Sequence, residues 1–427
     1  MTLLFRDVFY LDCAAEQSRR GDVLVEGNRI GKIAAPRTLP DADETIDGRG
    51  TTALLPAFVN CHTHAAMTLL RGLGEEKPLM EWLKERIWPL EAHLTPEDIY
   101  WGTMAAMIEM VSCGVGCFAD MYFEMSEVAR ASQEVGMRCG LCRGLMQDDR
   151  KRLDENLSLF DQWHGRNGRV TVQLGPHAPY TVAFGFMKDV AGIAKERDIH
   201  VHTHFLETKW ELDYLKNDLR MTPTEYLGKS GLLDAPGLIL AHCVWLPAET
   251  AAALPKSVTI VHNPKSNLKL GSGFFPWKEF RERSVSVALG TDGAASNNRL
   301  DMLDEARFAS LVHKGLTLDP TESRAWDVLR AATLEGYRAL GFENTGLVRE
   351  GWTADFALFD LDSPRYIGAG ESNLAEFIVY SGSSRDVKGT MVDGKWAYRN
   401  GVFSVDAADA LERARETRRS LVRLATE

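Results

Sequence analysis

The stretch Pro56-Ala57-Phe58-Val59-Asn60-Cys61-His62-Thr63-His64 runs an apolar segment into two histidines two residues apart. Side chains alternate faces along a β-strand, so His62 and His64 point the same way, roughly 7 Å apart along the backbone. Two imidazoles on one face at a strand's end can grip one metal ion. A lone His-x-His is as readily a pair of core histidines, so the decision rests on whether the rest of the chain supplies further ligands.

Outward from this stretch the chain alternates apolar runs with helices. Eight strand candidates follow one another: Phe58–Cys61, Gly116–Asp120, Arg138–Arg143, Val170–Leu174, His200–His204, Leu238–His242, Thr259–His262 and Ser286–Leu289. The clearest helix runs from about Pro96 to Ser112. Thr95 is its N-cap, Pro96 its first residue, Glu97 and Asp98 lie in the positive first turn, and Gly114 stops it. This alternation predicts an α/β fold, a (β/α)8 TIM-like barrel with its active site at the C-terminal ends of the strands. A doubly wound sheet carries the same local signature.

Both ends of the chain read as β-structure. Asp22-Val-Leu-Val-Glu and Arg29-Ile-Gly-Lys-Ile flank a Gly27-Asn28 turn, and Asp393-Gly394 marks a hairpin near the other end. Neither piece has strands enough to bury a face alone, which predicts one small discontinuous β-sandwich. The resulting division is 1–56 and 348–405 for the composite sandwich, 57–347 for the barrel, and 406–427 for a C-terminal amphipathic helix.

A barrel demands polar residues where its strands finish, and they are there. Strand one ends in His62 and His64, strand three in Arg143, and strand four runs into His177. Strand five leads to His204 and Glu207, strand six ends in His242, and strand eight delivers Asp292. His200 and His202 share a face with His204 but sit deeper, as buried or supporting histidines. His93, His164 and His313 fall away from strand ends and are read as surface residues; His262 could reach the site without an assigned task. His62, His64, His204 and Asp292 form a donor set suited to one divalent metal, Zn²⁺ first and Fe²⁺ as its alternative. Zinc lowers the pKa of a bound water from about 15.7 to about 7.

A net charge of −11 over 427 residues argues against nucleic acid or an anionic membrane as partner. No apolar run reaches the roughly 18 residues of a membrane helix, and the N-terminus lacks the form of a secretory signal. Seven cysteines scattered through apolar runs fit reduced thiols and a cytoplasmic location. Cys139-Gly-Leu-Cys142 lies inside a strand-like run and reads as core packing rather than as a zinc or redox motif.

Several runs, in this order, resemble the amidohydrolase superfamily, and within it the group of 5′-methylthioadenosine/S-adenosylhomocysteine deaminases, triazine chlorohydrolases and guanine deaminases. They are Phe58-Val-Asn-Cys-His-Thr-His-Ala-Ala-Met-Thr-Leu-Leu-Arg-Gly, Leu79-Met-Glu-Trp-Leu, Ile87-Trp-Pro-Leu-Glu, His262-Asn-Pro-Lys-Ser-Asn-Leu-Lys-Leu-Gly and Gly290-Thr-Asp-Gly-Ala-Ala-Ser-Asn-Asn. The match looks best to the methylthioadenosine/S-adenosylhomocysteine deaminases. The resemblance implies His62, His64, His204 and Asp292 as metal ligands, Glu207 as proton shuttle and His242 against the attacking water. It implies Glu91 for the ribose hydroxyls, His177 for the purine, Trp82 and Ser296 as pocket lining, and Arg143 and Arg152 for a homocysteine carboxylate. Two-metal relatives bridge their ions through a modified lysine on strand four; Val170-Thr-Val-Gln-Leu has none, which implies one metal.

The expected reaction is hydrolytic deamination of adenine nucleosides, a small-molecule activity, with self-association into a homo-oligomer left open. The rival on the same scaffold acts on guanine, 8-oxoguanine or a chlorinated triazine, and would need neither Glu91 nor the two arginines. A non-catalytic interaction protein is disfavoured by the intact ligand set. The cytidine-deaminase signature of His-x-Glu with Pro-Cys-x-x-Cys is absent from the sequence.

Overall fold

The structure is a computed structural model that describes residues 2–424; the end of the predicted C-terminal helix, 425–427, lies outside them. In chain order the strands are β1 (Thr2–Asp12), β2 (Gln17–Glu26), β3 (Arg29–Ala34), β4 (Glu44–Asp47), β5 (Thr52–Pro56), β6 (Phe58–Thr63), β7 (Val115–Tyr122), β8 (Arg138–Leu145) and β9 (Val170–Val172). They continue as β10 (Gly175–Pro176), β11 (Val201–Phe205), β12 (Leu238–His242), β13 (Val258–His262), β14 (Ser286–Leu289), β15 (Phe356–Asp360), β16 (Val387–Val392), β17 (Lys395–Arg399) and β18 (Val402–Phe403).

The barrel is built from β6 to β14, and all eight sequence-predicted strands are present. Parallel pairing runs β6-β7-β8-β9 on one side and β11-β12-β13-β14 on the other. Strand four is split: β9 pairs with Cys139–Leu141, and β10 resumes at Gly144 and Leu145 after a break at Gln173-Leu174. Leu174 bridges to Val201 and closes one gap between the two half-barrels. The other closes where Asp292 N–H donates to His62 C=O at 2.9 Å, tying the loop after β14 to β6. Gly290 makes that approach possible, because a Cβ there would lie 2.8 Å from His62 N and 2.9 Å from His62 O.

The terminal strands form one continuous sheet in the order β18-β17-β16-β15-β5-β1-β2-β3, with β4 beside β1. It folds over its own core of Phe5, Val23, Ile30, Leu54, Phe356 and Met391. β1 changes partner midway, from β4 over Leu3–Arg6 to β5 at Phe9 and Tyr10, at a bulge where Asp7 has φ 57°. The Gly27-Asn28 and Asp393-Gly394 turns are two-residue hairpins, and Asn28 Nδ2 donates to Asp393 Oδ1 at 2.9 Å. At Asp393 and Gly394 both φ angles are positive, 53° and 72°, as the twist of such a hairpin requires. Sheet and barrel are pinned by Arg138 at the start of β8, whose Nε donates to Asp355 Oδ2 at 2.6 Å with both side chains buried.

The helix Pro96–Ser112 carries the expected Thr95 cap as a reciprocal box with Asp98. The C-terminal helix, Ala407–Leu424, lies on the barrel, where Arg418 donates to Leu69 C=O at 2.7 Å. One expectation fails: His313 is not on the surface. It is buried on the inner face of the helix Met302–Thr317, its Nε2 3.1 Å from His262 Nε2. Its burial follows from packing against His262, 51 residues away in the sequence, which the helix's own pattern does not reveal.

Candidate metal centre and active site

At the C-terminal ends of the barrel strands four imidazoles and two carboxylates converge. β6 carries His62 and leads into His64, β11 carries His204 and leads into Glu207, β12 ends in His242, and Asp292 follows β14. Several of these strand ends turn sharply. Leu206, His242, Cys243 and Asp292 have φ of 51°, 74°, 50° and 63°, left-handed values that cost non-glycine residues energy and re-aim the side chains that follow.

Each ligand candidate is oriented from behind. His64 Nδ1 donates to Met121 C=O at 2.7 Å, and His204 Nδ1 donates to His177 C=O at 2.8 Å, which leaves both Nε2 lone pairs facing inward. His62 Nδ1 is 2.9 Å from His202 Nε2. Asp292 accepts from Ser266 Oγ at 2.6 Å and Ser296 Oγ at 3.0 Å through Oδ2, and from Gly293 N–H at 2.8 Å through Oδ1. Oδ1 also lies 3.2 Å from His64 Nε2 and 3.7 Å from His62 Nε2. His62 Nε2 is buried without a hydrogen-bond partner, and donor atoms of His62, His64 and His204 lie within 4.8 Å of one another. A buried, unsatisfied nitrogen amid convergent borderline donors fits a metal of the zinc type. Burial opposes the charge on Asp292, but the proximity of His64 and the Ser266 hydrogen bond hold its carboxyl well below the usual range.

Glu207 is buried beside this centre. Its Oε1 accepts from Ser272 Oγ at 3.0 Å, and Oε2 lies 3.7 Å from His242 Nε2. Burial, with the nearby Asp292 charge, pushes its pKa up to about 8. His242 Nδ1 accepts from Asn267 Nδ2 at 2.8 Å, so its Nε2 carries the proton and faces the centre as a donor. Asn267, like the Ser266 that holds Asp292, lies in the run His262-Asn-Pro-Lys-Ser-Asn, which carries the resemblance but yields no roles from sequence, and Ser272 follows just beyond it.

A narrow cleft, with free space of about 80 Å³, opens over the centre. Trp82, Glu91 and His177 line it, as does Tyr180, which sequence reasoning missed. Glu91 Oε1 accepts from Tyr122 Oη at 2.6 Å, and burial raises its pKa. Burial also lowers His177 to about 3, leaving a neutral ring anchored through Thr181 Oγ1 at 2.8 Å. Arg143 and Arg152 line an adjoining recess that shares Trp88, Glu91, Phe123 and Met146 with the cleft. In it Arg143 pairs with Glu155 at 2.9 Å and Arg152 with Asp149 at 3.1 Å, while Arg150 pairs elsewhere, with Asp148 and Asp189. Ser296 is placed differently from expectation: it is buried behind Asp292 and does not face the cleft. His262 packs against Phe275 and His313 instead of reaching the centre.

The amidohydrolase family model matches residues 53–397. The 5-methylthioadenosine/S-adenosylhomocysteine deaminase of Pelotomaculum thermopropionicum is 43% identical over 385 residues, 88% of either chain. That of Syntrophomonas wolfei is 40% identical over 438 residues, 99% of this chain and 100% of its own. Among solved structures, an adenosine deaminase from Xanthomonas campestris with bound zinc has a TM-score of 0.92 at 31% identity, covering 98% of both chains. The atrazine chlorohydrolase of Arthrobacter aurescens, also with zinc, has a TM-score of 0.89 at 24% identity over 97% of this chain and 100% of its own, a likeness of fold. Barrel, sandwich, donor set and relatives agree over nearly the whole length, and the chain belongs to the amidohydrolase family.

Proposed function

We propose that this protein is a metal-dependent deaminase of adenine nucleosides, converting 5′-methylthioadenosine and S-adenosylhomocysteine to their inosine counterparts with release of ammonia. The observation that carries the reading is the span of one cleft: a buried carboxylic acid, Glu207, stands beside the metal-ligand set, and a second carboxylate, Glu91, is fixed on the wall by Tyr122. A purine with its ribose has a reacting end and a diol end, and these two groups suit them. The relatives' names and the adjoining arginines Arg143 and Arg152 support a 5′-substituted nucleoside over guanine or a triazine.

One divalent ion, zinc by the nature of the donors and the zinc-bearing neighbours, would be held by His62, His64, His204 and Asp292 and would supply an activated water at neutral pH. Glu207 holds a proton near neutrality and delivers it to purine N1 as the water oxygen adds to C6. Asp292 takes the proton that the water loses and passes it to the departing amine. The Nε2–H of His242 donates toward the developing negative oxygen. Water and nucleoside enter; the 6-oxo nucleoside and ammonia leave. His177 presents a neutral ring to the purine, and Glu91 accepts from the 2′- and 3′-hydroxyls. Ser296 acts through Asp292, not on substrate.

On this reading the catalytic unit is the barrel, residues 57–347, with 1–56 and 348–405 as its supporting sandwich. The enzyme works in the cytoplasm, which seven free cysteines support. No helix among the described residues is long and apolar enough to cross a membrane. The test compares adenosine with 2′,3′-dideoxyadenosine. Glu91→Gln is expected to raise KM for adenosine about tenfold or more, the scale of one or two lost charge-assisted hydrogen bonds, and to leave the dideoxy analogue unaffected. Equal effects on both would remove Glu91 from the diol, and no ammonia from any adenine nucleoside would overturn the substrate class.

A further inference from the structure

The segment that brings Trp82 and Glu91 to the cleft is not a regular helix. Leu79–Trp82 and Trp88–Glu91 are α-helical, but Leu83–Ile87 between them is a π-turn, in which Trp88 N–H donates to Leu83 C=O, five residues back. The next residue, Pro89, has no N–H to give to Glu85 C=O, and its ring would strike that carbonyl in a straight α-helix. Widening the preceding turn relieves the clash, so the π-turn lies where the proline requires it.

The extra residue in that turn alters which face Glu91 occupies. At about 100° per residue, nine α-helical steps would set positions 82 and 91 about 180° apart, on opposite sides of the helix. A π-turn absorbs one residue, leaving about eight effective steps and an angle of about 80°. Trp82 and Glu91 thereby face one cleft, and Glu91 reaches the Tyr122 hydroxyl on β7. The segment is clamped on its other side, where Gly74, at φ 90°, packs so closely that a Cβ would touch Arg86 at 2.8 Å and Trp82 at 3.1 Å.

We infer that Pro89 is a positioning residue for substrate recognition: it enforces the π-turn at Leu83–Ile87 that rotates Glu91 onto the same face as Trp82. Pro89 itself is exposed and does not line the cleft. The inference rests on the reading of Glu91 as the acceptor for the ribose diol.

The experiment measures kcat and KM for adenosine and 2′,3′-dideoxyadenosine in wild type, P89A, E91Q, and P89A with Lys84 deleted, each checked for metal content and circular dichroism. P89A is expected to raise KM for adenosine about tenfold, with kcat changed less than about threefold, and to leave the dideoxy analogue unaffected. Deleting Lys84 in P89A removes the residue that the π-turn absorbs, so a plain α-helix then restores the spacing and KM returns toward wild type. A P89A enzyme with wild-type KM, beside an E91Q enzyme that loses diol recognition, overturns the role of Pro89 alone. If E91Q also treats the two nucleosides as wild type does, the reading of Glu91 falls and the inference with it. Should P89A lose its structure, the doubly altered chain decides: recovered KM supports the register argument, and unrecovered KM overturns it.

Discussion

Glu207 and Glu211 are buried carboxylic acids four residues apart with different surroundings. Glu207 sits at the reacting end of the cleft and has one oxygen on Ser272 and the other toward His242. Glutamine at this position keeps the shape and loses the transferable proton. Glu207→Gln is therefore expected to lower kcat by about 10²–10⁴-fold with metal content unchanged, read by ammonia release and metal analysis on one sample; full activity with full metal would end the assignment. Glu211 Oε1 accepts the N–H groups of Glu207 and Thr208 at 3.1 and 3.2 Å, and Oε2 is buried without a partner. Burial, with Glu207 beside it, raises its pKa to about 8 against an ordinary 4.5. The folded state thus binds this proton more tightly than the unfolded chain. The associated stability is whole below about pH 4.5 and is lost as pH rises through about 8. Glu211→Gln keeps an acceptor for both N–H groups and cannot ionise. Its melting temperature is expected to fall less than that of wild type between pH 6 and pH 9, and parallel curves would refute the argument.

At the scale of elements, the proposed metal centre depends on how closely the loop after β14 approaches β6. Gly290→Ala would drive a methyl group against the backbone of His62, which cannot rotate away as a side chain can. Metal affinity is expected to fall by about 10- to 100-fold, the range seen when groups that orient ligands are disturbed. Competition with a chelator measures it, and wild-type affinity would show that the strands yield. The eight barrel strands were legible because each is an apolar run that ends in polar chemistry, and the helix Pro96–Ser112 because its cap is local. The break in strand four was not, since Val170-Thr-Val-Gln-Leu reads as one run and only pairing to β8 divides it. Nor were the left-handed strand ends: Asp and His tolerate positive φ better than most residues but adopt it too seldom for His242 and Asp292 to announce it. The π-turn was hidden because its cause, Pro89, follows it. Tyr180 and His313 depend on neighbours far away in sequence, whereas Ser296 bonds to Asp292 four residues before it and the motif gave it a residue type without a direction.

At the scale of the whole molecule, barrel and sheet are joined by charge as well as by apolar packing. Asp355 takes two hydrogen bonds from Arg138, at 2.6 and 3.1 Å, and one from Asp393 N–H at 2.8 Å. Asp355→Ala leaves the buried Arg138 guanidinium with only the more distant, partly exposed Asp393 carboxylate at 3.3 Å, a change that costs about 3 kcal/mol, the lower end for a broken buried pair. Urea unfolding should register that loss while kcat of the folded enzyme stays near wild type, since the pair lies away from the cleft lining; an unchanged midpoint would contradict it. The bond from Asp292 N–H to His62 C=O reaches further in its consequences. It joins the last barrel strand to the first through two residues of one donor set, so closing the ring and completing that set are one event. During synthesis the three imidazoles precede the carboxylate by many residues, and a closure of such long sequence separation is slow to form. With the proposed ligand set the same coupling runs backwards: opening this seam would dismantle the ion's coordination, and an ion in place would keep the seam shut. Hydrogen exchange at the Asp292 amide is thus a clock for metal escape, readable without substrate.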